Sequence, residues 1–187
     1  MMPAWLLRRA ALLATLAIVA CTPALNWREI RLDRLTALLP CKPDHAQRPV
    51  RLGPTDLQLE MAGCEAAGAL FAISHVRVPD PQQLTAAETE WQKAALATMQ
   101  ATNVRHETFK LEKPADNVVQ VREAKSGLLP DGMLELLVAE GRRADGTPVQ
   151  ARLAWFAQGA DVFHVAVYGA ALNVDTYQMF FSGLKLQ

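Results

Sequence analysis

From Trp27 onward the chain is mostly a series of short runs whose apolar residues recur with a period of two. Trp27, Ile30 and Leu32 mark an extended segment. Leu35–Leu39 reads as a strand stopped by Pro40-Cys41-Lys42-Pro43, because two prolines at that spacing remove backbone donors and end pairing. Arg48–Leu52 reads as a short strand. Leu57, Leu59 and Met61 alternate with Asp56, Gln58 and Glu60, the mark of a half-buried strand. Gly63–Gly68 reads as a turn region. In Ala69–Val78 both parities are apolar: Phe71 and Ile73 on one, Leu70, Ala72, Val76 and Val78 on the other. A strand buried on both faces needs a layer above and below it.

The period then changes. Asp80-Pro81-Gln82-Gln83 is a helix start, with Asp80 as cap, Pro81 in the first turn and Gln83 three residues on. Leu84, Ala87, Trp91, Ala95 and Met99 fall on one face of a helix expected to reach about Ala101. Val104–Leu111 and Asn117–Arg122 read as strands split by Lys113-Pro114, and Ser126–Gly132 as a loop. Met133–Arg142, Pro148–Phe156 and Val162–Tyr168 are strands joined by short turns, one of them built on Asp145-Gly146, which supplies the positive φ of a tight hairpin. Asn173 caps a final helix that turns Val174, Tyr177, Phe180 and Phe181 to the core and stops at Gly183. The expectation is an α+β fold, an antiparallel sheet covered by helices.

Composition narrows the function. The 187 residues carry 19 Lys+Arg, 19 Asp+Glu and 4 His, with 51% hydrophobic residues, as in an ordinary globular protein. No run of basic residues is concentrated enough to displace counterions from nucleic acid, so nucleic acid is not an expected partner.

The N-terminus reads as a targeting signal. Arg8-Arg9 precede Ala10–Ala20, which is apolar apart from Thr15. That run is too short to span a bilayer and fits the core of a secretory signal. Ile18-Val19-Ala20-Cys21 then resembles the lipobox of bacterial lipoproteins. The resemblance implies cleavage after Ala20 and lipidation of Cys21; several acyl chains there give stable attachment to a membrane. Thr22, where Asp is the retention signal in enterobacterial sorting, implies the outer rather than the inner membrane. Cleavage removes two arginines and no acid. The expected layout is a signal over residues 1–20, a lipidated tether over 21–26 and a single domain over 27–187, enough chain to bury roughly 70% of its unfolded surface.

With Cys21 assigned to lipid, Cys41 and Cys64 remain, and in an oxidising compartment two cysteines read as a disulfide. The chain-entropy model gives a loop of that size roughly 3.5 kcal/mol. A metal site is the alternative, with His45 near Cys41, but neither Cys has a CxxC partner or a His pair beside it. A thiol nucleophile is a third reading.

Two stretches resemble the PsbP-like (DcrB-like) family: Leu38-Leu39-Pro40-Cys41-Lys42-Pro43, and the meander from Met133 to Gly169 followed by Phe180-Phe181-Ser182-Gly183-Leu184-Lys185. The chain departs from the family at Cys41, where Gly is usual, and at Gly183-Leu184, where Phe follows Ser directly. The resemblance implies an α/β/α sandwich, no common catalytic centre, and a binding or assembly role.

The residues give no catalytic constellation. Ser74, Ser126 and Ser182 lie outside any GxSxG elbow. Ser74 and His75 are adjacent on a strand and point to opposite faces. His45, His75, His106 and His164 show no HExxH or His-x-His spacing, and His164 among apolar neighbours reads as a satisfied structural histidine. Glu88 and Glu90 diverge on their helix, and Glu135 and Glu140 differ in strand parity. Arg142-Arg143 is the one local basic pair; an exposed hairpin end is the plainer reading of it, contact with anionic lipid or an acidic partner the sharper one.

The sequence thus leads to a lipid-anchored, periplasm-facing envelope protein that acts as a non-catalytic binding or assembly module, with no cofactor and no metal. Its partners would be the membrane, through Cys21, and another envelope protein. A second reading is a binder of a small apolar or lipidic ligand in a cavity lined by Phe71, Trp91 and Trp155. A hydrolase is the third.

Overall fold

The structure is a computed structural model that describes residues 25–110, 128–129 and 133–186. Eleven strands and two α-helices are present among the described residues. They run β1 (Arg28–Leu32), β2 (Leu35–Leu39), β3 (Asp44–Leu52), β4 (Thr55–Ala66), β5 (Ala69–Arg77), α1 (Leu84–Thr98), β6 (Asn103–Lys110), β7 (Leu128–Leu129), β8 (Met133–Arg142), β9 (Pro148–Gln158), β10 (Asp161–Gly169), α2 (Val174–Ser182) and β11 (Lys185–Leu186). The large sheet has the order β3-β4-β5-β10-β9-β8-β6, with the two-residue β7 also paired to β8, and every pairing is antiparallel. It is two three-stranded meanders, β3-β4-β5 and β8-β9-β10, fused where β5 meets β10. β1, β2 and β11 make a separate three-stranded sheet.

This corrects the expected class. The protein is mostly β, not an α+β sandwich whose sheet is covered by helices, and the α/β/α arrangement implied by the PsbP-like resemblance goes with it. One face of the large sheet carries α1; the other is packed by the small sheet together with α2. The physical reason is at the termini. Leu32, Leu35, Ala37 and Leu39 are all buried, so the first hairpin forms a layer, and Leu186 pairs with Leu35 to extend it.

Strand parity distributes the core. On β10, Val162 and Ala166 join Val76, Val78, Leu153 and Trp155 under α1, while Phe163, Val165 and Val167 join Phe71, Ile73, Phe156, Phe180 and Phe181 on the other side. The expected double burial of β5 is present in part: Phe71 and Ile73 face the small sheet and Val76, with Val78 just past the strand, faces α1, while Leu70 and Ala72 are only half-buried. Gly63–Gly68 is not a turn region throughout. β4 continues to Ala66, and only Ala67 and Gly68, both at positive φ, make the turn. Residues 128–129 of the expected loop over Ser126–Gly132 are strand. The expected strand Asn117–Arg122 lies outside the described residues.

Both helix starts use the expected caps. The Gln82 amide donates to Asp80 Oδ1 at 2.9 Å, and Gln83 Nε2 donates to Asp80 Oδ2 at 3.1 Å. The cap closes a 3₁₀ turn over Pro81–Gln83, and α1 proper begins at Leu84. Ala87, Trp91 and Met99 are buried as the spacing required. At α2, Asn173 Oδ1 accepts from the Thr176 amide at 3.0 Å. Phe180 and Phe181 are fully buried, whereas Val174, expected in the core, is exposed. Gly183 has φ −78°, so it is not there for left-handed backbone; a Cβ at this point would sit 2.8 Å from the Leu38 side chain. Its small size lets the end of α2 close onto β2.

Cys41, just after β2, is bonded to Cys64 on β4, with 5.9 Å between their Cα atoms. The bond ties the small sheet's layer to the large sheet. Replacing both cysteines by Ala should lower unfolding stability by about 2–4 kcal/mol in denaturant titrations, and reductant should have that effect only on the wild-type chain. Gly141 on β8 passes directly beneath the end of α1, where the Arg142 amide donates to the Met99 carbonyl at 2.7 Å. A Cβ on Gly141 would fall on the Met99 carbonyl oxygen, so Gly141→Ala should cost about 1–3 kcal/mol in the same titration.

Candidate functional site

The residues singled out from sequence do not converge on one place. Cys21 lies outside the described residues. Phe71 packs edge-on against Phe180 on the small-sheet side, and Trp91 and Trp155 lie on the α1 side. The large sheet separates them, so the three cannot line one cavity. Under α1 they are joined instead by His164. Its ring stacks on Trp155 with centroids 4.4 Å apart and tilts against Trp91 at 5.4 Å.

His164 is structural, as expected, but not satisfied. Among the described residues its Nε2 has no hydrogen-bond partner, nor has Trp155 Nε1. Burial holds its pKa down at about 3, so the imidazole is neutral in the native protein. Tyr168, on the same face, is pushed up to about 12 by burial. This is a packed aromatic assembly carrying two unpaired polar atoms.

The other face holds a polar cluster that the sequence reading did not anticipate. It starts from register. Gln47 on β3 is opposite Glu60 on β4, Glu60 is opposite His75 on β5, and His75 is opposite Phe163 on β10. Directly opposed residues share a face, so these four form one row across the sheet. Gln47 Nε2 donates to Glu60 Oε1 at 3.2 Å, and the His75 ring stacks on Phe163 at 5.0 Å. Asp161, two residues from Phe163 and opposite Arg77, brings its carboxylate to His75 Nε2 at 3.0 Å.

The β1–β2 turn closes over this row. Asp33 stands there at φ 52°, a left-handed conformation that Asp tolerates better than most residues. One ligand atom from each of Asp33, His75 and Asp161 lies within 4.8 Å of the other two. Asp161 is 1% exposed and His75 6%, while Asp33 is at the surface. Arg77 Nη1 is 3.5 Å from Asp161 Oδ1, and Arg34 Nε is 3.9 Å from Asp161 Oδ2. His75 Nδ1 has no hydrogen-bond partner and looks toward Glu60 Oε2 at 4.0 Å. Two carboxylates, an imidazole and two guanidinium groups thus meet where the hairpin tip covers the β5–β10 pair.

No sequence motif could reveal this, because its members come from a hairpin turn and two strands far apart in the chain. The available signal was parity. His75 shares its parity with Phe71 and Ile73, and Asp161 shares its with Phe163 and Val165, so both are polar residues at core-facing positions. The reading that Ser74 and His75 point to opposite faces holds, and it is what sends His75 into the cluster.

Three further polar groups are fixed by the fold. Arg142 Nη1 donates to the Gly146 carbonyl at 2.9 Å, so this member of the basic pair braces its own hairpin. Asp145 Oδ1 accepts from the Thr147 amide and hydroxyl at 2.9 and 2.7 Å, bonds that hold its carboxyl below the usual range. Arg152, largely buried, lies 5.3 Å from the Tyr177 ring centroid and 4.0 Å from Glu107 Oε2.

No protein-family model matches the chain, and no curated protein matches it.

The buried His164 sets a pH dependence of stability. Its native pKa lies far below the ordinary value of 6.5, so the unfolded chain binds a proton that the native state refuses. The contribution is complete above pH 6.5 and is lost progressively as pH falls toward 3. Denaturation midpoints measured from pH 8 to pH 4 should fall below pH 6.5, and His164→Leu should flatten that limb.

Proposed function

We propose that the protein is a lipid-anchored component of a bacterial envelope, held at the periplasmic face of a membrane by Cys21, and that it works as a binding or assembly module for another envelope protein. The observation that carries this reading is the Cys41–Cys64 disulfide. A disulfide linking two layers belongs to an oxidising compartment, and it leaves Cys21, in Ile18-Val19-Ala20-Cys21, as the remaining thiol. Lipidation gives that thiol a role consistent with its position behind the Arg8-Arg9 and Ala10–Ala20 segments.

β1 begins at Arg28, seven residues beyond Cys21. A fully extended tether of that length reaches about 25 Å. An anchored domain is therefore kept close to the bilayer, where it meets membrane-associated partners rather than freely diffusing ones. The two outer strands of the large sheet support a docking role: β3 is exposed along nearly its whole length, and so is β6. Among the described residues both are edge strands, and an open edge of this kind accepts a further strand. Their charged side chains, among them Arg48, Arg51, Arg105 and Glu107, keep such an edge from pairing indiscriminately.

The test is fractionation with a labelled fatty acid. The wild-type chain should incorporate label and sediment with membranes, and Cys21→Ser should lose the label and move to the soluble envelope fraction. Crosslinking in cells should recover a stoichiometric partner with the wild-type chain and lose it with Cys21→Ser. Membrane retention of Cys21→Ser would sink the anchor, and absence of any partner in either form would sink the assembly role.

A further inference from the structure

We propose that Asp33, His75 and Asp161 bind one divalent transition-metal ion of the Zn²⁺ class, with Glu60 orienting the histidine. The inference starts from an electrostatic deficit. A carboxylate buried as deeply as Asp161 needs close compensation. Charge-assisted hydrogen bonds that supply it are usually about 2.7–2.9 Å long. Its two arginine neighbours stand off at 3.5 and 3.9 Å and have side chains 64% and 51% exposed. At those distances neither guanidinium forms a short charge-assisted hydrogen bond with the buried carboxylate. His75 is close enough, at 3.0 Å, but presents one nitrogen only.

The second observation is on the far side of that ring. His75 is more than nine-tenths buried, and its Nδ1 has no hydrogen-bond partner among the described residues. A metal-bound imidazole uses one nitrogen on the ion and donates the other N–H to a carboxylate or carbonyl. Glu60 Oε2, 4.0 Å from Nδ1, stands in that position, and Gln47 holds the opposite oxygen of the same carboxylate. The row Gln47–Glu60–His75 is thus arranged as a support for a ligating histidine. As an isolated ion-pair cluster it leaves a buried ring nitrogen without a hydrogen-bond partner among the described residues.

The third member explains the hairpin tip. Bonds of about 2.1 Å to a tetrahedral ion put ligand atoms about 3.4 Å apart. The three ligand atoms already lie within 4.8 Å of one another. Asp33 belongs to an exposed two-residue turn, so the remaining closure falls on the part of the site least constrained by packing. One imidazole and two carboxylates suit Zn²⁺, Co²⁺ or Mn²⁺ better than Cu(I), which prefers sulfur, or Ca²⁺, which prefers all-oxygen sites. Three protein ligands leave a coordination position for water or for a group from a partner.

The experiment is a titration of the full-length protein, stripped of metal, with Zn²⁺ in a calorimeter. Co²⁺ is added separately to read ligand-field absorption. One ion per chain is expected. Asp33→Asn, which keeps a residue tolerant of φ 52° and touches no core contact, should weaken binding tenfold or more while leaving the thermal transition of the metal-free protein in place. His106→Ala is the control, because His106 pairs with Glu135 at 2.6 Å on the exposed surface, outside the proposed site; it should bind as the wild type does. Binding below one ion per chain, an unchanged affinity in Asp33→Asn, or loss in His106→Ala would each overturn the assignment.

Discussion

Everything in this molecule depends on the antiparallel pairing of β5 with β10. The two strands are far apart in sequence, yet they run in register from Asp161 opposite Arg77 to Gly169 opposite Ala69. The pairing fuses two local meanders into one sheet and makes both strands central, with each face of each strand covered. Because successive side chains alternate, the same register sends Phe163, Val165 and Val167 to one core and Val162 and Ala166 to the other. A slip of one residue would exchange the two sets and put apolar side chains where the layers above and below do not fit them.

That register also decides the polar chemistry. Phe163 opposite His75 puts the imidazole on the small-sheet side, and His164 opposite Ser74 puts the second imidazole under α1. The two histidines then meet different fates. His164 is enclosed by Trp155 and Trp91, so desolvation governs it and the ring stays neutral. His75 lies in a row with Glu60 and beside Asp161, so carboxylates surround it. One sheet thus carries an apolar histidine and a polar one on opposite sides, separated by a single peptide unit on one strand and a ladder pairing on the other.

The legibility of the sequence follows the same division between local and distant contacts. Met133–Arg142, the Asp145-Gly146 hairpin, the Asp80 and Asn173 caps and the buried face of α1 are local, and period and capping chemistry locate them to within a residue or two. Cys41 and Cys64 needed only a count of cysteines and a compartment. The class of the fold was not legible, because whether an N-terminal hairpin lies at a sheet edge or stacks as a layer depends on what it covers. Apolar Leu35, Ala37 and Leu39 are compatible with both. The cluster of Asp33, His75 and Asp161 was not legible for a stronger reason: its geometry exists only once β5 has found β10 and the β1–β2 turn has folded over them. Phe71, Trp91 and Trp155 illustrate the converse error. Large aromatics suggest a shared cavity, but parity and layer order decide which side of a sheet each one occupies.

The polar cluster sits where the small sheet and the large sheet meet at their rim, and this location has a mechanical consequence. The two layers are held together by three different kinds of contact: the apolar core around Phe71, Phe163 and Phe181, the Cys41–Cys64 bond beyond the end of β2, and the charged contacts beneath the β1–β2 turn. The disulfide fixes the chain where it leaves β2, and the charged cluster engages the opposite end of that strand, where the hairpin turns. A strand constrained at both ends cannot tilt without breaking one of the constraints. The apolar contacts between them, which are not directional, therefore need not define orientation. Of the two constraints the charged one is the more open to what binds from solvent, since Asp33 and Arg34 are exposed while Cys41 is half-buried and Cys64 buried. Any ligand or partner that engages the hairpin tip therefore acts on a junction of the two layers that is both directional and accessible.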